Sequence, residues 1–350
     1  MVTRPSRLHP PVECVRLHDI ESGLDGVIAI HSTALGPGAG GCRFWSYPGL
    51  DEALADAMRL AEGMSYKNAL AGLPFGGAKA VIRRPAGEFD RDALFRAFGR
   101  AVNELGGRYV TAEDVGTSVA DMEQIAGVTR HVAGLPSSGD RAGGDPSPWT
   151  ALGVFESMRA AAALTLDRDL AGLTVAVQGT GNVGADLCRR LADAGAHLVI
   201  ADPESGRRDR LSHILGAKVV GTDEIAEVEA DIFAPCALGG ALTRDVARKL
   251  KARLVCGAAN NQLASAEVAP LLMARGIAYA PDYVVNAGGI ISVSAEYLGE
   301  DRSDVEARVA EIAPRVGTIL ERAAREARSP ADVADEMAET MIAGASRAAA

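Results

Sequence analysis

Lys67 and Lys79 stand in the segment GMSYKNALAGLPFGGAKAVI, with Gly72, Gly76 and Gly77 between them and mostly apolar neighbours. Glycine lets backbone approach a ligand closely, and apolar walls disfavour a charged ammonium, drawing a lysine pKa down toward neutrality. A lysine so placed can exchange protons or hold a carboxylate. Asp114 closes the run RYVTAED, where a carboxylate can move protons or cap a turn. These residues alone leave a second reading open, in which both lysines lie along the surface beside flexible loops.

A second constellation lies in LTVAVQGTGNVGADLCRRLADAGAHLVIAD, residues 173–202. An apolar strand runs into Gly179-Thr180-Gly181-Asn182-Val183-Gly184, a helix comes next with an apolar stripe, and a second apolar run ends in Asp202. This order is that of a dinucleotide-binding βαβ unit. Gly179 permits the tight turn, Gly181 lets backbone approach a pyrophosphate, Gly184 lets helix pack on strand, and the helix N-terminus offers N–H groups to the anion. Asp202 is placed to accept from a ribose 2′-hydroxyl, which favours NAD over NADP, although an acid there can also be the N-cap of an element beginning after Pro203.

The elements around these sites predict two domains, because 350 residues exceed the usual limit of a single core, about 250 to 300. Residues 12–31 read as strands separated by turn formers, 50–64 and 91–105 as helices, and 118–131 as a further helix. The segment SYKNALAGLPFGGAKAVI fits neither period. The turn-rich SSGDRAGGDPSP places the domain junction between about 135 and 148. From Thr150 helix and strand alternate, with strands expected at 173–177, 197–201, 218–221, 231–234, 254–257 and 277–280, the pattern of a doubly wound parallel sheet. The final helices are expected over about 304–345. The expected division is residues 1–140 for substrate and oligomerisation, 147–325 for the dinucleotide and 326–350 packing back on the first domain, with a cleft between two α/β domains. The first should hold a mixed sheet and the second a Rossmann sheet.

A net charge of -10 without a basic run speaks against nucleic acid or an anionic membrane as partner. Five widely spaced cysteines without a CxxC pair fit reduced thiols and imply no metal site. With no apolar run long enough to span a bilayer and no signal-like N-terminus, a cytoplasmic protein is expected.

Several long segments, in order, resemble the Glu/Leu/Phe/Val dehydrogenase family: HSTALGPGAGGCRFW, GMSYKNALAGLPFGGAKAVI, YVTAEDVGTS, SPWTALGVF, DIFAPCALGG, CGAANNQL and PDYVVNAGGIISV. The likeness is greatest to the branched-chain and aromatic members and covers nearly the whole chain. It implies oxidation of an L-amino acid by NAD to an imine, then hydrolysis to the 2-oxo acid and ammonia, reversibly. It also implies a homo-oligomer. Carried over by motif, Lys67 pairs with the substrate carboxylate, Lys79 activates water, and Asp114 moves protons on and off the amine. Gly40 and Gly41 approach the carboxylate, Thr150 contacts the nicotinamide, and Ala258, Asn260 and Asn261 lie along the cofactor and substrate.

Glutamate members need a cation for the side-chain carboxylate, whereas Gly38 and Ala39 stand in this GPxxGG segment, so an apolar side chain is expected. Ala112 resembles the leucine and valine pattern, while the small Ala39 would admit an aromatic ring; Ile290 and Val293 could line the same pocket or be ordinary core. The expectation is therefore leucine, valine or isoleucine, with phenylalanine as the alternative. Two other classes compete with this reading. A non-catalytic NAD-binding relative would be expected to have lost one of Lys67, Lys79 and Asp114. A hydroxy-acid dehydrogenase would use a histidine, and none of the six stands in a supporting motif, His31 and His197 both falling on strand patterns.

Overall fold

In the computed structural model, residues 11–136 and 141–349 are described, and they group into two compact units. The first comprises the described residues before Asp145, Ile290–Val305, and those from Met337 onward; the second comprises Asp145–Gly289 and Glu306–Glu336.

The first unit is built on a mixed sheet. Its strands are β1 (Glu13–Asp19), β2 (Leu24–Ser32), β3 (Gly38–Ala39), β4 (Cys42–Trp45), β5 (Gly76–Arg83) and β6 (Tyr109–Val110), ordered β1-β2-β5-β3-β6 with β4 also on β5. β1, β2 and β5 are antiparallel, whereas β3 and β4 run parallel to β5 as one interrupted strand broken at Gly40-Gly41. Helix α1 (Leu50–Leu70) covers one face, where Ala53, Ala57 and Ala61 meet Val27, Ala29 and Val81. Small side chains on the helix allow this close approach. Helices α2 (Arg91–Glu104) and α3 (Val119–Ala126) belong with the opposite face, where Leu94, Phe95, Phe98, Met122 and Ile125 join Ile28, Ile30, Ala80 and Ile82. The period of two in β2 and β5 separates these cores.

Two helices depart from their expected bounds. The first runs on to Leu70 because residues 65–70 are nearly all buried, which erases the amphipathic stripe. The segment that fits neither period is therefore half helix and half strand. α3 ends at Ala126, well short of 131, and the chain re-enters the sheet through the bridge Thr111↔Val132.

The second unit opens with α4 (Ser147–Leu166). Then come β7 (Thr174–Gln178), α5 (Asn182–Asp193), β8 (His197–Ala201), α6 (Ser205–Leu215), β9 (Lys218–Val219), β10 (Ile232–Pro235), α7 (Arg244–Lys249), β11 (Leu254–Val255), α8 (Val268–Ala274), β12 (Ala278–Tyr279) and α9 (Asp282–Val285). All strand pairs are parallel, in the order β12-β11-β10-β7-β8-β9. Strand order thus reverses between β7 and β10, and in open sheets of this kind ligands bind at that switch point, beyond the carboxyl ends of the strands.

The remainder is α10 (Gly288–Leu298), α11 (Arg302–Ala310), α12 (Ile312–Glu326) and α13 (Pro330–Ala349). The last three fill the stretch expected to be helical, with breaks at Glu311 and at Ala327, which adopts φ 50° ahead of Pro330. Most of α10 belongs to the first unit. Glu296 accepts from the N–H groups of Gly134 and Leu135, and Tyr297 lies 3.1 Å from the His131 imidazole and edge-on to Phe75. Residues 290–305 thus cluster apart from the unit to which the sequence pattern assigned them. Among the described residues no helix is long and apolar enough to cross a membrane.

Candidate active site

Sheet register assembles the first constellation. β5 is buried along nearly its whole length, and Lys79 pairs in register with Ala29, on the α1 face. Beside it Cys42 pairs with Ala80, so Arg43, aligned with Val81, shares that face with Lys79. The bridge Cys42↔Glu113 sets Asp114 alongside Arg43. The result is a Lys79 Nζ to Asp114 Oδ2 separation of 3.2 Å, with the Arg43 Nε donating to the same oxygen at 2.9 Å. Arg43 also donates to Asp56 on α1 at 3.0 Å, and Asp56 in turn accepts from Tyr47 Oη and Arg59 at 2.6 Å each.

Burial pushes the Lys79 ammonium below its ordinary pKa; Asp114 opposes this, and the Arg43 charge adds to it. Burial alone would raise Asp114, but Lys79 and Arg43 outweigh it and hold the carboxyl below the usual range. The pair is therefore an anionic carboxylate beside an amine that releases its proton more readily than a surface lysine. Sequence reasoning missed Arg43, although it stands two residues after Gly41 in the GPGAGGCRFW segment. Its significance lies in partners distant along the chain.

Glycines set this geometry. A side chain at Gly41 would bring its Cβ to 2.4 Å from the Glu113 carbonyl and 2.9 Å from the Asp114 Cβ, and one at Gly40 would collide with the Ala78 carbonyl. At Gly77 a Cβ would meet the Ser65 nitrogen at 2.1 Å, so this residue allows α1 to lie against β5 two residues before Lys79. Asn68 clamps the same seam by donating to the Gly76 and Ala39 carbonyls. Lys67 is half-buried in the last turn of α1. Ala39 is buried and Ala112 half-buried, while Ile290 and Val293 are half-buried one turn apart on α10. His31 is buried with its Nδ1 2.8 Å from the Ser65 hydroxyl, which gives it a structural partner.

In the second unit the glycine motif has the expected shape. Gly179 adopts φ 99°, and its added Cβ would meet Ala237, which comes just after β10, at 2.9 Å. A Cβ at Gly184 would strike the Gly179 carbonyl, whereas one at Gly181 would meet nothing within 4 Å. Gly179 thus makes a turn, Gly184 allows close packing and Gly181 faces open space. A pocket of about 380 Å³ opens here, lined by Thr180, Gly181, Asn182, Asp186, Arg207 and Arg210 among others. Asp202 is buried, and its oxygens accept from the Thr180 N–H and hydroxyl, the Glu204 N–H and Arg207. It ties the glycine turn to β8, and its Arg207 partner is exposed. Thr150 donates to the Pro146 carbonyl. Asn286 donates to both the Ala258 carbonyl and the Asn260 side chain, and Asn261 sits at φ 53°, a conformation asparagine tolerates better than most residues. Val183 is half-buried in the first turn of α5. Among the described residues no cluster of His, Cys, Asp or Glu could hold a metal ion.

Comparison with known proteins gives two family matches. Residues 12–131 match the Glu/Leu/Phe/Val dehydrogenase dimerisation domain, and residues 204–350 match Glutamate/Leucine/Phenylalanine/Valine dehydrogenase. The chain belongs to this dehydrogenase family. Its relatives within the family include a leucine dehydrogenase of Thermoactinomyces intermedius, 46% identical over 94% of this chain and 90% of that protein. A valine dehydrogenase of Streptomyces virginiae is 48% identical over 95% of this chain and 94% of that protein. Among solved structures, L-tryptophan dehydrogenase from Nostoc punctiforme superposes with a TM-score of 0.86 at 38% identity over 97% of each chain.

Proposed function

We propose that this family member is an NAD-dependent L-amino-acid dehydrogenase acting on apolar amino acids, with leucine, valine and isoleucine favoured. The observation that carries the reading is the pair of buried Lys79 and half-buried Asp114 at 3.2 Å, in which a carboxylate stays ionised beside a depressed lysine. Lys67 would hold the substrate α-carboxylate by a charge-assisted contact and so fix the Cα. Asp114 would take a proton from the substrate ammonium, leaving the amine lone pair to drive loss of the Cα hydride. NAD, when bound, supplies the hydride acceptor. Lys79, in its neutral form, would then take a proton from the water that adds to the imine carbon, Asp114 would return one to the nitrogen, and the C–N bond would break as the hydroxyl proton passes through Asp114 to the leaving ammonia. The products are the 2-oxo acid and ammonium, with one further proton released.

The second unit's residues fit a dinucleotide. Gly181 opens onto the pocket, the α5 N-terminus faces it, and Asp202 stands at the end of β8 where a ribose would lie. That acid supports NAD over NADP, since a 2′-phosphate would meet a like charge. Asn260, Asn261, Ala258 and Thr150 would line the rest of the cofactor's course, and a homo-oligomer is proposed. A second reading, an aromatic substrate, is favoured by one observation: Ala39 is small where it stands beside Gly40.

The test is NADH formation, followed by absorbance, from NAD and L-leucine, L-valine, L-isoleucine, L-phenylalanine, L-tryptophan or L-glutamate at alkaline pH. Highest kcat/KM with the aliphatic group is expected. A preference for phenylalanine or tryptophan would establish the second reading, and silence across the panel with NADH still bound would overturn both.

A further inference from the structure

Five charged side chains converge on the α1 face of the first unit, and they do not balance when all are charged. Arg43 and Arg59 are permanent cations, Asp114 and Asp56 are anions, and Lys79 is the fifth group. Without a proton on Lys79 the cluster is neutral; with one it carries a net positive charge in a site where Lys79 is only 6% exposed. The remaining titratable neighbours do not alter this balance. Tyr47 and Cys42 are both pushed up by burial and stay protonated, and Glu62 and Lys67, on the helix α1 that packs on β5, carry opposite charges that cancel in the count.

Arg43 is the hinge of the cluster because it reaches both carboxylates, 2.9 Å from Asp114 and 3.0 Å from Asp56. Were Asp114 paired with Lys79 alone, its charge would fall wholly on the ammonium and hold the proton there. We propose that Arg43 is a positioning residue that sets the working pH of the reaction by taking up the Asp114 charge and leaving Lys79 free to lose its proton. Asp56, Tyr47 and Arg59 anchor it in that position from the helix side. The inference rests on the role given above to Lys79 and Asp114.

A paired test separates this from a packing role. Arg43→Gln removes a cation from the cluster, so the acid limb of the kcat/KM profile should move to higher pH by about one unit or more, the scale of a charge within 4–6 Å. Asp56→Asn removes an anion, so the same limb should move to lower pH. Arg43→Lys should bring the limb back toward that of the unaltered enzyme. A merely structural role would lower kcat in both variants without moving the limb, or would move it the same way in both.

The second readout needs no turnover. The pH dependence with which traces of acetic anhydride label Lys79, followed by peptide mass spectrometry in the full-length protein, reports the lysine pKa directly. It should rise in Arg43→Gln and fall in Asp56→Asn. Unchanged labelling in both would overturn the proposal even if the enzyme is active; shifted labelling in a protein inactive on every amino acid would uphold the effect of Arg43 on the Lys79 proton and overturn the proposed reaction, and with it the setting of a working pH. If Arg43→Gln fails to fold, Asp56→Asn and Arg43→Lys decide the matter by the same two measurements.

Discussion

A lysine in the middle of a strand buried over nearly its whole length is an expensive residue, and an uncharged hydrophobe there would be better packed. Its presence at position 79 is intelligible as chemistry. Lys79→Met should preserve the fold and lower kcat by about 10² to 10⁴, the usual contribution of a positioned proton-transfer group. NADH affinity, measured by fluorescence titration, should change little, because the glycine motif lies in the other unit. Near-normal turnover in that variant would remove Lys79 from the mechanism. The sequence singles out Lys67, Lys79 and Asp114 through the motifs they stand in, while their local composition alone leaves a surface reading open for the lysines and a capping one for the aspartate. It does not mark Arg43, whose carboxylate partners lie 13 and 71 residues away and meet it only through strand register.

At the scale of elements, close contact between helix and sheet depends on positions without a side chain. Gly77→Ala places a methyl 2.1 Å from a backbone nitrogen of α1, which can only be relieved by moving the helix. The expected cost is about 1–3 kcal/mol, read as a fall in the urea midpoint. Gly41→Ala differs in kind: the methyl presses on Glu113 and Asp114, so activity should fall much more than stability. Equal losses in thermal midpoint and in kcat would argue against that distinction. The Rossmann order is legible in the sequence because β7 and β8 are continuous apolar runs and α5 between them keeps a clean helical period. The later strands β9, β11 and β12 pair over only two residues each, shorter than their apolar runs suggest, because burial of an apolar run does not require a ladder partner along its whole length. The extension of α1 to Leu70 is hidden for a related reason, since its last turns are buried nearly all round and leave no period to read.

Across the whole molecule, Asp56, Asp114, Asp121 and Asp202 share one electrostatic situation. Burial would raise each pKa, but cationic and N–H or O–H partners more than compensate and hold all four below the ordinary 3.8. For a depressed carboxyl the stabilisation is fully present above the unfolded pKa and is lost as pH falls through the folded one. Stability should therefore vary little for these groups between about pH 7 and 5 and fall steeply below about pH 4. Urea midpoints measured across that range check this, and a midpoint unchanged down to about pH 3 would contradict it.

Each compact unit is stitched from separated stretches of chain. The first gathers Ile290–Val305 and the residues from Met337 beside its long N-terminal segment, and the second needs Glu306–Glu336, whose helix α12 packs on α4. On the ribosome, neither body can close when its own sheet has emerged. The mixed sheet must wait with Phe75, His131 and the Gly134 amide lacking their partners on α10 until more than half of the protein has been made. Nascent chains halted after Gly289 should consequently remain protease-sensitive in both halves, and this fold is one that cells would complete at the end of synthesis rather than domain by domain.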